Sequence, residues 1–376
     1  MDVVSGSTGN LGLLSQLLFT EIDSGTRAEE RAEREAAGRW EPIASLARSL
    51  TLKDLEDLRS LATTNHVIVR TFGPLASILE IQGKSKQTAW LREATREEQT
   101  RIDHALGFLA HICTVIESAG CRATVIKSLD HWPDLGSDLD LYADAEASKL
   151  VTVMRAMFNA RVDDRSWGDR LASKWNFVIP GLPELVEIHV GRLGQTGEQI
   201  AITRSLSKRA RETMFGRYSL RVTAPEDRIV ISTLQRMYRH FYIRLCDIAD
   251  NARLLDNNLV DFEYLHSLSS EAGLWDGVAT YLGIVSDYVE AYRGHGAPLS
   301  SLVKGSRKFG IEKVSFRNQF LRVPILPQSL NLYAGELKTL LLRGDFRNTL
   351  RLSLLPGLAT AAAVEQKLTG NDKGVW

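Results

Sequence analysis

Residues 136–141 read GSDLDL, two acids alternating with two leucines. Successive side chains of a β-strand face opposite ways, so Asp138 and Asp140 share one face while Leu139 and Leu141 share the other. Two carboxylates side by side on a half-buried strand repel each other and lose hydration, and a cation is what such a pair needs. A third acid stands in ELVEIHV, where Glu187 alternates with Val186 and Ile188 and so points away from their apolar face. If its strand lies beside the first, three carboxylates converge. Hard cations such as Mg²⁺ take oxygen ligands and keep company with phosphates, and paired metals can hold the attacking and leaving oxygens of a phosphoryl-type displacement. The pattern therefore predicts Asp138, Asp140 and Glu187 as ligands of Mg²⁺, with Mn²⁺ as a substitute. The bland alternative is a solvated edge-strand face. His189 shares the face of Glu187, either as a substrate contact or as a hydrogen-bonded structural histidine.

These acids need a sheet to hold them and helices to cover its other face. RATVIK, SDLDLYA, KWNFVIP, ELVEIHV and YSLRV read as strands, short, apolar or β-branched, and bounded by Gly, Pro or Asp. PGLP at 180–183 is short enough to join two of them as a hairpin. EASKLVTVMRAMFNA fits an amphipathic helix between them. Upstream, Thr51 precedes a helix with Leu52, Leu55, Leu58 and Leu61 at helical spacing, and a longer helix runs from Lys86 to Ser118 until Gly120 ends it. TRAEERAEREAAGRW, at 26–40, reads as a solvated face or a mobile arm.

Downstream, PEDRIVISTLQRMYRHFYIRLCDIADNARLL predicts one long helix or two, with Pro225 at the first helical position and Glu226 and Asp227 in the first turn. In a continuous helix Arg236, His240, Arg244 and Asp247 form one polar stripe, either a cationic wall across a cleft or an exposed face with an Arg244–Asp247 pair. The whole predicts an α+β fold: a small mixed β-sheet core at 121–222 between an N-terminal helical region, 1–120, and a C-terminal helical region, 223–376.

VIKSLDHWPDLGSDLDLYAD, LVEIH and the helical segment from Pro225 together resemble the DNA polymerase β-type nucleotidyltransferase superfamily, and within it a little-characterised bacterial nucleotidyltransferase group. The resemblance covers about residues 100–256. It implies a nucleotidyltransferase core that moves a nucleoside monophosphate from an NTP, ATP among them, to an acceptor hydroxyl with release of pyrophosphate. It also implies that Asp138, Asp140 and Glu187 are catalytic, and that Lys127, Ser128, Gly136, Ser137, His240 and Arg244 bind the nucleotide. The superfamily usually has glycine just before the serine, where this chain has Lys127. A Lys there can offset triphosphate charge, and it also keeps alive an inactive nucleotide-sensing or protein-docking module. Hydrolysis of a phosphodiester on the same acids is a further alternative.

Composition narrows the partners. Lys plus Arg equal Asp plus Glu at 46 each, so net charge does not indicate nucleic acid, although a local basic patch stays open. The acceptor, whether small molecule, peptide or protein, is not readable. Cys113, Cys121 and Cys246 are too few and scattered for a disulfide framework, and no Cys–His spacing suggests zinc or a nucleophilic triad. With no secretion leader and no uninterrupted membrane-length apolar span, the reading is a cytoplasmic protein without a membrane partner. Asp130 and Asp134 read as solvated loop acids. VVSGSTGNLG lacks a preceding strand and a Gly-Lys-Ser/Thr ending and is discounted as a phosphate loop.

Overall fold

In a computed structural model of the chain, residues 9–19, 43–354 and 357 are described. The expected charged arm at 26–40 lies outside them, as does nearly all of the segment after Leu354. The molecule is α+β. Its main sheet has seven strands in the order β3-β4-β5-β2-β1-β7-β6: β1 Arg122–Val125, β2 Asp138–Asp144, β3 Arg161–Val162, β4 Lys174–Val178, β5 Leu185–Val190, β6 Arg211–Phe215 and β7 Tyr218–Val222. The sheet is mixed. β2–β5 and β1–β7 are parallel, and the remaining pairs are antiparallel, including the β4–β5 hairpin across PGLP.

One face of this sheet is apolar by alternation. Leu139 and Leu141 on β2, Val186 and Ile188 on β5 and Ala123 and Val125 on β1 are buried against Ile102, Leu106, Leu109, Ile112 and Ile116 of the helix Ser85–Ser118. That helix starts elsewhere: Leu91 and Ala94 join a second core made with the helices Leu52–Thr64 and Ile68–Ile81 and with the C-terminal helices. It therefore ties the N-terminal helices to the sheet. The helix Leu52–Thr64 begins at a capping box, Thr51 with Asp54, and Gly120, at φ 73°, follows the end of the long helix as its αL residue.

The segment from Pro225 departs from the expected helix. Pro225–Thr233 is α-helical with Pro225 in its first turn, but Leu234–Arg239 widens to a π turn and Phe241 adopts φ 54°. The chain then makes a two-residue strand, β8 Tyr242–Ile243, before the helix Leu245–Asp256. β8 pairs with β10 Phe320–Arg322, which pairs with β9 Ser315–Arg317, giving a small antiparallel sheet that no periodicity announced. Among the described residues no helix is long and apolar enough to cross a membrane.

Candidate functional site

The polar face of the sheet carries the acids. Parallel pairing of β2 and β5 sets Asp138 opposite Leu185 and Asp140 directly opposite Glu187, so one carboxylate from each strand meets on the same side. Their side chains are 13% and 12% exposed. One oxygen of each, together with a ring nitrogen of His189, lies within 4.8 Å of the others. Asp138 stands two residues before Asp140, at the start of β2, half-buried, with Ser137 Oγ at 3.5 Å from its Oδ2. The donors that cluster are thus Asp140, Glu187 and His189, with Asp138 outside the group.

Two lysines neutralise this face. Lys174, on β4 and opposite His189, sits 2.8 Å from Glu187 Oε2 and 2.8 Å from Asp169 Oδ1. Its part was not legible in the sequence, where KWNFVIP announces only a strand. Lys127 comes from the end of β1, with Nζ 2.5 Å from Asp140 Oδ1 and 3.3 Å from Glu187 Oε1. Its backbone explains the aim. Lys127 has φ 58° and ψ −59°, and the Ser128 N–H donates to Ile126 O at 2.6 Å, a γ-turn rarely populated by residues with a side chain. The position favours glycine, and the residue present strains the backbone by about 1–3 kcal/mol to place an ammonium between two carboxylates.

Ser128 is committed elsewhere than the phosphate contact implied by the resemblance. The residue is 2% exposed, and its hydroxyl accepts from the Asp140 N–H at 2.7 Å and donates to Asp138 O at 3.1 Å. Both hydrogen bonds fix the turn against β2, so Ser128 positions Lys127 and Asp140. Gly136 gives its carbonyl to Arg101 at 3.3 Å, and Ser137 is exposed beside Asp138.

The ionisation of the group follows from burial and these contacts. Burial, reinforced by Glu187 and only partly offset by Lys127, pushes the Asp140 carboxyl up to about 7. Burial also pulls on Glu187, yet Lys127, the His189 hydrogen bond and Lys174 outweigh it and hold that carboxyl well below the usual range. His189 donates from Nε2 to Glu187 Oε1 at 3.0 Å, and burial lowers its imidazole to about 4 despite that bond. Burial raises Asp138 as well, with Glu187 adding and Lys127, Lys174 and Arg244 opposing.

The remaining helical candidates do not form a stripe, because Phe241 breaks the helix. Arg236 is 2% exposed and pairs with Asp247 at 2.7 Å, so the expected Arg244–Asp247 pair is replaced by a buried Arg236–Asp247 pair; Arg244 contributes only its backbone N–H to Asp247, at 2.7 Å. The Arg244 guanidinium instead lies over Tyr242 and Phe320, 5.3 and 5.7 Å from their ring centres, on the small second sheet. His240 is kept neutral by burial and by the surrounding Arg239, Arg236, Lys127 and Arg244.

The loop that carries the Lys127 turn is clamped by buried charge. Asp134, 1% exposed rather than solvated, accepts from the Val69 N–H at 2.7 Å and from Arg70 Nε at 2.9 Å. Arg70 reaches on to Asp250 at 2.7 Å, and Asp250 meets His131 Nδ1 at 2.5 Å, while Asp130 pairs with Arg228 at 2.8 Å. His131 Nε2 also lies 3.7 Å from Cys246 Sγ, a Cys–His–Asp sequence that spacing did not reveal. Burial raises the Cys246 thiol and the residue is fully enclosed, which makes it a structural contact and not a nucleophile.

No family model and no curated protein matches the chain. Among solved structures, it is similar to an antigenic nucleotidyltransferase-like protein from Paracoccidioides brasiliensis, at 14% identity over 50% of this chain and 93% of that one, with a TM-score of 0.32.

Proposed function

We propose that the chain is a divalent-metal-dependent nucleotidyltransferase, moving a nucleoside monophosphate from an NTP to an acceptor hydroxyl with release of pyrophosphate. The observation that carries this reading is the in-register meeting of Asp140 and Glu187 on parallel strands, with an ammonium at 2.5 and 3.3 Å already lying between their oxygens. The donor chemistry fits a cation: two carboxylates and one imidazole suit Mg²⁺ or Mn²⁺, the imidazole favouring the latter. Asp140 and Glu187 would hold it, with Asp138 and His189 at the sides, and when bound it would supply charge for a triphosphate to meet.

The chain's own residues do the rest. Lys127, Arg239 and Arg244 are cations near this face, available to the phosphates. Lys174 keeps Glu187 ionised and oriented, and Ser128 locks the turn that aims Lys127. Phosphoryl-type transfer depends on such alignment and neutralisation more than on a protein nucleophile. The acceptor hydroxyl would approach Glu187, whose Oε1 is fixed by His189.

The test is pyrophosphate release and label transfer from α-labelled NTPs, with Asp140→Asn and Glu187→Gln each expected to reduce transfer by about 10²–10³-fold or more while the circular dichroism spectrum stays folded. One observation favours a second reading. Lys127 sets an ammonium 2.5 and 3.3 Å from the two acids, an arrangement that also suits a nucleotide-sensing module without turnover. MgATP binding by titration calorimetry with no pyrophosphate released in the presence of cell extract would select that module.

A further inference from the structure

The last two described helices, Leu330–Leu342 and Phe346–Ser353, carry large apolar side chains on both sides. Inward, Leu332, Leu340 and Leu352 are buried. The pair is fastened to the body of the molecule, since Gln199 Nε2 donates to the buried Glu336 at 2.6 Å and Arg351 donates to Leu171 O at 2.9 Å. Tyr333 Oη, donating to Leu352 O at 2.6 Å, holds the two helices together. Outward, Leu342 is 76% and Phe346 69% exposed, and Leu341, Leu350 and Leu354 are exposed with them. Phe346, Leu350 and Leu354 recur every four residues and so stand on one face. A surface helix ordinarily turns polar side chains to water, and a cluster of this size on an anchored pair marks a contact surface.

Shape and charge say what meets it. Leu341, Leu342 and Phe346 flank the turn Arg343–Asp345, where Gly344 has φ 72° and a Cβ would meet nothing within 4 Å, so the turn projects into solvent and forms no groove. Among the charged residues of 330–354, the exposed ones are Lys338, Arg343 and Arg347, all cationic. Both acids are taken: Glu336 is buried, and Asp345 caps its helix, accepting from the Asn348 N–H at 3.1 Å and from Asn348 Nδ2 at 2.8 Å. A twofold pairing of this face would set the guanidinium groups against their own copies, with no free carboxylate of the stretch to meet them. In sequence the chain continues without a charge from Leu352 to Val364.

We propose that this face is a membrane-contact surface for anionic lipid. Phe346 and the exposed leucines enter the boundary between headgroups and acyl chains, and Lys338, Arg343 and Arg347 meet the negative headgroups. Contact of this kind needs no spanning segment, and it is independent of the proposed transfer reaction.

The test is flotation of the full-length protein with vesicles of phosphatidylcholine alone and of equimolar phosphatidylcholine and phosphatidylserine, at low and high salt. The anionic vesicles should carry the protein, salt should weaken the binding, and neutral vesicles should bind far less. Phe346→Ser should lower partitioning about tenfold or more, the worth of one large apolar side chain, and Leu350→Ser serves should that variant fail to fold. Arg343→Gln with Arg347→Gln should weaken binding to the anionic vesicles about tenfold or more and leave the neutral ones unchanged. Failure to float with anionic vesicles, equal flotation with neutral ones, or variants that bind as the parent does would overturn the proposal. Failure to float, together with a dimer in sedimentation equilibrium that Phe346→Ser dissociates, would overturn it in favour of a second copy of the chain.

Discussion

Replacing Lys127 with glycine separates the two things this residue does. The glycine relieves a γ-turn at φ 58°, recovering about 1–3 kcal/mol of backbone strain. Its greater freedom in the unfolded chain takes back about 0.5–1 kcal/mol. Against this, removing one partner of a buried ion pair costs about 3–5 kcal/mol. The lower end applies, because Lys174 still sits 2.8 Å from Glu187 and both acids keep 12–13% exposure. The ion pair therefore wins, and Lys127→Gly should be about 0.5–3 kcal/mol less stable than the parent in chelator, read from urea midpoints at constant m. A divalent cation should reverse the order. At a hundred times its Kd, Mg²⁺ or Mn²⁺ adds about 2.7 kcal/mol to a state that binds it, and in the variant it enters a site with no ammonium to displace. The expected result is a larger metal-induced midpoint shift in Lys127→Gly than in the parent. Equal shifts, or none in either protein, would refute the argument that the ammonium occupies a cation position.

Three further outcomes follow from the same geometry. Asp140 ionises near 3.8 when unfolded and near 7 when folded, so the folded state holds an extra proton between these values and stability falls as pH rises through that window. Asp140→Asn removes this slope: it should match the parent near pH 4 and exceed it at pH 8, and thermal melts across pH check the sign. Arg70→Met leaves Asp134 and Asp250 buried without their guanidinium and should cost about 3–5 kcal/mol in urea unfolding, whereas a surface pair such as Arg92–Glu80 should cost under about 1 kcal/mol. Ser128→Ala removes both hydrogen bonds to β2; it should lower NTP-dependent pyrophosphate release through a misplaced Lys127, and Ser128→Thr should restore part of it.

The sequence made the acids legible because period-two alternation is a local property: Asp138, Asp140 and Glu187 all lie on strands with leucine, valine or isoleucine on the other face. What joined Asp140 to Glu187 was parallel pairing of segments some 47 residues apart, which no local pattern carries. Lys174 was missed, and the pairing of Lys127 with the two acids was not foreseen, since lysine is ordinarily a solvated residue and only the fold shows that these two are 7–14% exposed. The helix break at Phe241 was hidden because RMYRHFYIRLCDI keeps a helical period straight through it. β8 pairs with β10, about 80 positions later, and β10 with β9, each only two or three residues long, too short for any alternation to register. Asp130 and Asp134 misled for the opposite reason: loop acids are usually solvated, but here the loop passes beneath Arg70 and Arg228, which the sequence places far away.

Crystals of the wild-type protein grown with Mn²⁺ and a non-hydrolysable NTP would address the carboxylate face most directly. The account predicts an anomalous peak between Asp140 and Glu187, with Lys127 Nζ withdrawn from both and lying on a phosphate oxygen. An ammonium still seated between the two carboxylates, with manganese and nucleotide elsewhere or absent, would contradict it.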